Sequence, residues 1–177
     1  MPTVLLHGLT ATRRYVVMGS GGLAHIYFAH EDKRLSYREL TSRLPDLAAG
    51  IARLEKVALV MARDGQRDVF LKGDLTLEGD ALMAFLAQFD DAVILLEQLS
   101  RLNSFQNSGD LVAFGAFVNG KQVNFENQAG GHGSIGGEQL HPFVLAKREW
   151  GIDTGGVNSA HQLHPILCDL RDRLAGA

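Results

Sequence analysis

The period of the apolar positions changes several times along the chain, and each change marks an element. Val16-Val17-Met18 and Leu23-Ala24-His25-Ile26-Tyr27-Phe28 flank Gly19-Ser20-Gly21-Gly22. That pattern predicts two short strands about a glycine bend, or one strand with a bulge. A polar turn, His30 to Arg34, precedes Ser36-Tyr37-Arg38-Glu39, whose Ser-x-x-Glu spacing predicts a capping box and a helix starting at Ser36. Its apolar stripe runs Tyr37, Leu40, Leu44, Leu47, Ile51 and Leu54. Pro45 divides it, ending one short helix and occupying the first turn of a second.

Val57 to Ala62 is a continuous apolar run, and the turn Arg63 to Arg67 leads to Asp68–Leu71, so a hairpin is expected. From Asp80 to Leu102 the pattern is helical, with Leu82, Phe85, Leu86 and Phe89 on one face and Val93, Leu96 and Leu99 continuing it. Asp90-Asp91 interrupts that helix and caps its second half. Leu111–Val118 and Gln122–Phe125 flank Asn119-Gly120, a strong hairpin signal. A glycine-rich loop follows, then a short apolar segment, Pro142–Leu145, and a closing helix from about Ser159 to Leu174. This order predicts an α/β or α+β fold, a mixed sheet with flanking helices, in one domain over residues 1–177.

Composition narrows the function. Lys and Arg number 17 against 20 Asp and Glu, a net charge of −3, with no basic run, so nucleic acid is not an expected partner. No apolar run approaches the roughly 18 residues of a membrane span, and no leader pattern opens the chain, so a cytoplasmic location is expected. The single cysteine, Cys168, excludes an intramolecular disulfide and a cysteine-built zinc site.

Candidate chemistry concentrates between Ala129 and Pro142, where five glycines surround His132 and Glu138 and His141 follow. Glycine neighbours let the backbone bend tightly and leave an imidazole open, as suits a ligand for zinc, iron or manganese. A loop whose glycines only shape turns and whose histidine closes a strand is the alternative, since one histidine does not hold a metal alone. His161-x-x-His164 has chelating spacing on a helix, but Pro165 places the pair equally well in a helix-entry turn. His25 and His30 are expected at a core edge and in a turn, and Asp110 is expected to satisfy turn amides. Gly19-Ser20-Gly21-Gly22 looks like a phosphate cradle but lacks the Lys-Ser/Thr of a P-loop and the spacing of a dinucleotide fold. Trp150 and most phenylalanines occupy core-compatible positions.

Gly131-His132-Gly133-Ser134 after a hairpin, then Gly136-Gly137-Glu138-Gln139 and Pro142-Phe143-Val144-Leu145 as a strand, resembles the C-terminal portion of the alkaline phosphatase superfamily. The likeness is to the type I phosphodiesterase and nucleotide pyrophosphatase-like branch, and it extends from about Val16 to Leu145. It implies a metal-dependent hydrolase of phosphodiesters, with His132 as one ligand of a metal centre, usually zinc. The family's nucleophile and its aspartate and other histidine ligands have no counterparts here; His7-Gly8 resembles one ligand element, with Leu6 in place of its aspartate. The resemblance therefore implies a C-terminal domain that is not competent alone. A non-catalytic binding or interaction module that keeps the scaffold without the metal centre is the alternative. A sheet cut from a larger one would leave an open edge, so a homo-oligomer is expected.

Overall fold

The computed structural model describes residues 15–127 and 130–176. Two compact units divide the chain, Met1–Leu140 and His141–Ala177.

The first unit is an antiparallel sheet with a helix pair on each face. Its strands are β1 (Val16–Ser20), β2 (Leu23–Tyr27), β3 (Val57–Asp64), β4 (Arg67–Lys72), β5 (Leu75–Leu77) and β6 (Leu111–Gly115), in the order β1-β2-β6-β3-β4-β5. Every pairing is antiparallel, which selects α+β from the two expected classes. The helices are α1 (Tyr37–Arg43), α2 (Leu47–Ala52), α3 (Gly79–Leu86) and α4 (Ala92–Ser104).

Alternation across the pleat sorts the core into two layers. Val60 and Ala62 of β3, with Leu111 and Ala113 of β6, pack with Leu40, Ala48 and Ala52 of α1 and α2. Leu59 and Met61 of β3, with Val112 and Phe114 of β6, pack with Leu82 and Leu86 of α3 and Leu95 and Leu99 of α4. Cover on both faces explains why β3 reads as an unbroken apolar run.

Local signals set the short-range geometry. Ser36 caps α1 in a complete box: its Oγ accepts from the Glu39 amide, and Glu39 Oε2 accepts from the Ser36 amide at 2.8 Å. Pro45 lies between α1 and α2, one residue before the N-cap Asp46, so it ends the first helix without entering the second. Asp91 caps α4 by accepting from the amides of Val93 and Ile94. The glycine bend joins β1 to β2, with Ser20 opposite Leu23. Two-residue strands β7 (Phe117–Val118) and β8 (Lys121–Gln122) pair across Asn119-Gly120, both at positive φ as a type I′ turn requires.

Three further expectations change. Leu111–Val118 is not one strand: β6 stops at Gly115, and the Ala116 amide turns away to Lys56 O at 3.0 Å. Val93 is 66% exposed, because α4 turns its Leu95–Leu99 stripe to the sheet instead. Pro142–Leu145 is irregular, not a strand, with Phe143 88% and Leu145 90% exposed. Its first residue has no N–H for a ladder, and four apolar residues without alternation do not distinguish a strand from a loop.

The second unit carries a 3₁₀ turn at Arg148–Trp150 and α5 (Ala160–Ala175), N-capped at Ser159. Pro165 lies inside α5. Among the described residues no helix is long and apolar enough to cross a membrane.

Candidate functional site

The loop around His132 is built from three segments of the first unit: the β1–β2 turn, the stretch after β8, and Gly130–Leu140. The Gly22 amide and the Gln122 side-chain amide both donate to the His132 carbonyl, at 2.6 and 2.9 Å. Gln122 also donates to Asn124 Oδ1 at 3.0 Å, and Asn124 Nδ2 donates to the Gly130 carbonyl at 3.3 Å. Downstream, Ser134 Oγ donates to Gly115 O at 2.9 Å, and the neighbouring Ile135 is buried in the α3/α4 core layer. Gln139 Nε2 donates to Gly136 O at 2.7 Å. The loop is thus anchored to the sheet on both sides of His132, while the His132 residue itself is exposed.

This geometry gives the glycine bend a role other than cradling phosphate. Gly21 has φ +59°, and a Cβ there would strike the His132 carbonyl oxygen, with the His132 amide nitrogen 2.8 Å away. A Cβ on Gly22 would collide with the Gln122 side-chain amide and lie 2.9 Å from Ser134 Cβ. The two glycine runs are complementary: one turn is stripped of side chains so that the other loop can lie against it. The Gly21 amide and carbonyl are also taken, by Glu126 Oε1 at 2.6 Å and by the Phe125 amide at 2.7 Å.

The other histidines have separate local partners. His25 is half-buried in β2, and its Nδ1 accepts from the Gly109 amide at 3.0 Å, so the neutral ring carries its proton on Nε2. Burial, with the Arg34 guanidinium adding to it, pushes its pKa below 6.5. His30 lies exposed in the turn after β2. In the second unit His161 Nδ1 meets Ser159 Oγ at 2.7 Å, whereas His164 Nδ1 meets Cys168 Sγ at 3.4 Å, so the two imidazoles have different partners. Glu138 is exposed, as is His141. Among the described residues no three His, Cys, Asp or Glu side chains gather to hold a metal ion. His7, with Gly8, lies outside the described residues, as does Ala129.

A second polar centre was not singled out by the sequence. Asn103, fully buried on α4, donates to Ala62 O at 2.8 Å and to Asp68 Oδ1 at 2.6 Å. Arg34 donates to both its carbonyl and its side-chain oxygen, and Arg63 donates to the carbonyls of Asn103 and Ser104. Two guanidinium groups therefore close the C-terminus of α4, where the helix dipole favours positive charge. Burial and the nearby Arg63 lower the Arg34 pKa. Beside them Asp110, buried, accepts from the amides of Phe28 at 2.8 Å and Leu35 at 2.5 Å. Arg34, Arg63 and Asp110 line a cleft of about 920 Å³ together with Tyr27 and Asn107. The available signal was Asn103 itself, a polar residue four positions after Leu99 on the buried stripe.

Compared with protein-family models, with curated proteins and with solved structures, the chain matches none.

Proposed function

We propose that this chain is the C-terminal domain of a metal-dependent phosphodiesterase or nucleotide pyrophosphatase-like hydrolase, in which His132 supplies one zinc ligand. The observation that carries this reading is an exposed histidine on a tightly held backbone. Its carbonyl is bonded twice, and the opposite turn has lost its side chains to accommodate it. An exposed loop histidine with no task does not require that support, whereas a metal ligand benefits from a preorganised backbone.

The donor chemistry fits one coordination position and no more. A single imidazole does not retain zinc, so the remaining ligands and the nucleophile come from outside the described residues. Zinc at such a centre stabilises charge on the attacking and leaving oxygens of a phosphoryl group. The part of this chain is to present His132, and the glycines beside it let the loop pack closely on Gln122, Asn124 and the β1–β2 turn, which fixes the backbone that carries the imidazole.

The test is His132→Ala in the longest natural polypeptide that contains this chain. One zinc per chain should be lost from the metal content by mass spectrometry, and hydrolysis of a chromogenic phosphodiester should fall at least about 100-fold. Unchanged zinc and turnover would overturn the assignment. The second reading, a binding module that keeps the scaffold without a metal centre, is favoured by the apolar groove beside β1 described below. It expects a chain that binds neither zinc nor phosphate analogues yet forms a defined complex.

A further inference from the structure

The two edges of the sheet are finished differently. β5 is three residues long and is bracketed by Asp74 and Glu78, which pair with Arg53 at 2.6 Å and Arg67 at 3.5 Å. Short length and flanking charge are the usual protections of an edge. β1 has neither: Val16–Ser20 holds no charge and no proline, and its register against β2 runs without a bulge. At its far end the Gly19–Gly21 backbone is crossed by Phe125, and among the described residues no strand pairs with the outer edge of Tyr15–Met18. Tyr15 is 58% and Met18 56% exposed.

Beside this stretch, on the α1/α2 face, lies an apolar groove of about 650 Å³. Ile26, Leu35 and Leu40 form its floor, and Val17, Phe28 and Ile51 its walls. Tyr15 and Leu44 stand at its rim with the Arg43–Glu31 ion pair. A strand added to β1 would project every second side chain over this groove, the arrangement by which main-chain bonds give affinity and alternate pockets give specificity. The occupant must be extended, uncharged, and apolar at alternate positions.

β1 itself has that sequence. Tyr15 and Val17 share the groove face, Val16 and Met18 share the other, and none is charged. We propose that two copies of this chain associate through antiparallel β1–β1 pairing about a two-fold axis near Val16. Tyr15 of each copy then lies opposite Val17 of the other, above the two grooves, and the sheets join into one of twelve strands. Such a contact is self-complementary, as an isologous dimer requires. It rests on the edge and the groove alone and is independent of the role of His132.

The experiment is sedimentation equilibrium of the full chain from low micromolar to submillimolar concentration. The weight-average mass should rise from 19.2 kDa toward twice that value. Val16→Lys places like charges opposite one another across the axis, and Val16 belongs to neither core cluster, so the fold should survive. Dissociation should strengthen by more than about tenfold in that variant and in Met18→Lys, with circular dichroism unchanged. Hydrogen exchange of the wild-type chain provides a readout that needs no variant: the outward-facing amides of Tyr15 and Val17 should gain protection as concentration rises. A mass of 19.2 kDa at every concentration overturns the proposal and leaves the groove to another polypeptide. A dimer that forms without protecting the Tyr15 and Val17 amides, or that both folded lysine variants leave intact, overturns it equally.

Discussion

Asp110 holds two amides from opposite ends of the loop between β2 and α1. Removing it as Asp110→Ala strands the buried Leu35 donor and the half-buried Phe28 donor and should cost about 2–4 kcal/mol in urea unfolding, with Asp110→Asn losing less. His25 adds a pH dependence. Its pKa is depressed in the folded chain, so the unfolded chain binds the extra proton first as pH falls. The stabilisation from neutral His25 is fully present above 6.5 and is lost as pH drops through the lowered folded value. Melting temperature should therefore fall on acidification below 6.5, and His25→Gln should flatten that part of the profile. Residue types foretold the turn-amide role of Asp110, since aspartate after Ser-Gly ordinarily satisfies nearby donors. They did not foretell that the donors lie about eighty positions upstream, nor that Asn103 ties α4 to β3 and β4. Both depend on partners that only the folded chain brings near.

Elements whose cause is local were legible from local pattern. The Ser36–Glu39 box, the Asp91 cap and the Asn119-Gly120 turn each need only four or five consecutive residues, and each is present. Ser36→Ala should cost about 1 kcal/mol, read by chemical denaturation. Two hydrogen bonds from Ser36, through its amide and then its hydroxyl, hold the Glu39 carboxyl down to about 2. The contribution of the Glu39 carboxylate to the box is complete above 4.5 and is lost as pH falls through about 2. The β1–β2 turn tests a different dependence. Gly21→Ala forces a side chain into positive φ and against the His132 carbonyl, so about 1–3 kcal/mol of stability should be lost. Chemical shifts of the His132 loop should move in the same variant, although it lies more than a hundred positions away. Pro142–Leu145 marks the limit of such reading, since whether a brief apolar run becomes a strand depends on a free edge elsewhere.

At the scale of the whole molecule, the sequence narrowed the class to α/β or α+β, but neither the all-antiparallel pairing that selects α+β nor the strand order could be read from it. β6 looked like one arm of a hairpin, yet it fills the centre of the sheet between β2 and β3. No periodicity records a partner that distant. The candidate site divides in the same way: the glycine loop stood out by composition, while the complementary turn that supports it emerged only from the packing of residues 19–22 against 131–134.

The central position of β6 also bears on synthesis. Until Leu111–Gly115 leaves the ribosome, the β1–β2 hairpin and the β3–β4–β5 meander have no strand to join them, and each presents an apolar edge. At about 5–20 residues per second, the interval between completing β2 and producing β6 lasts on the order of ten seconds. Nascent chains arrested shortly before Leu111 should therefore recruit holdase chaperones strongly, and chains arrested after β6 has cleared the exit tunnel should release them.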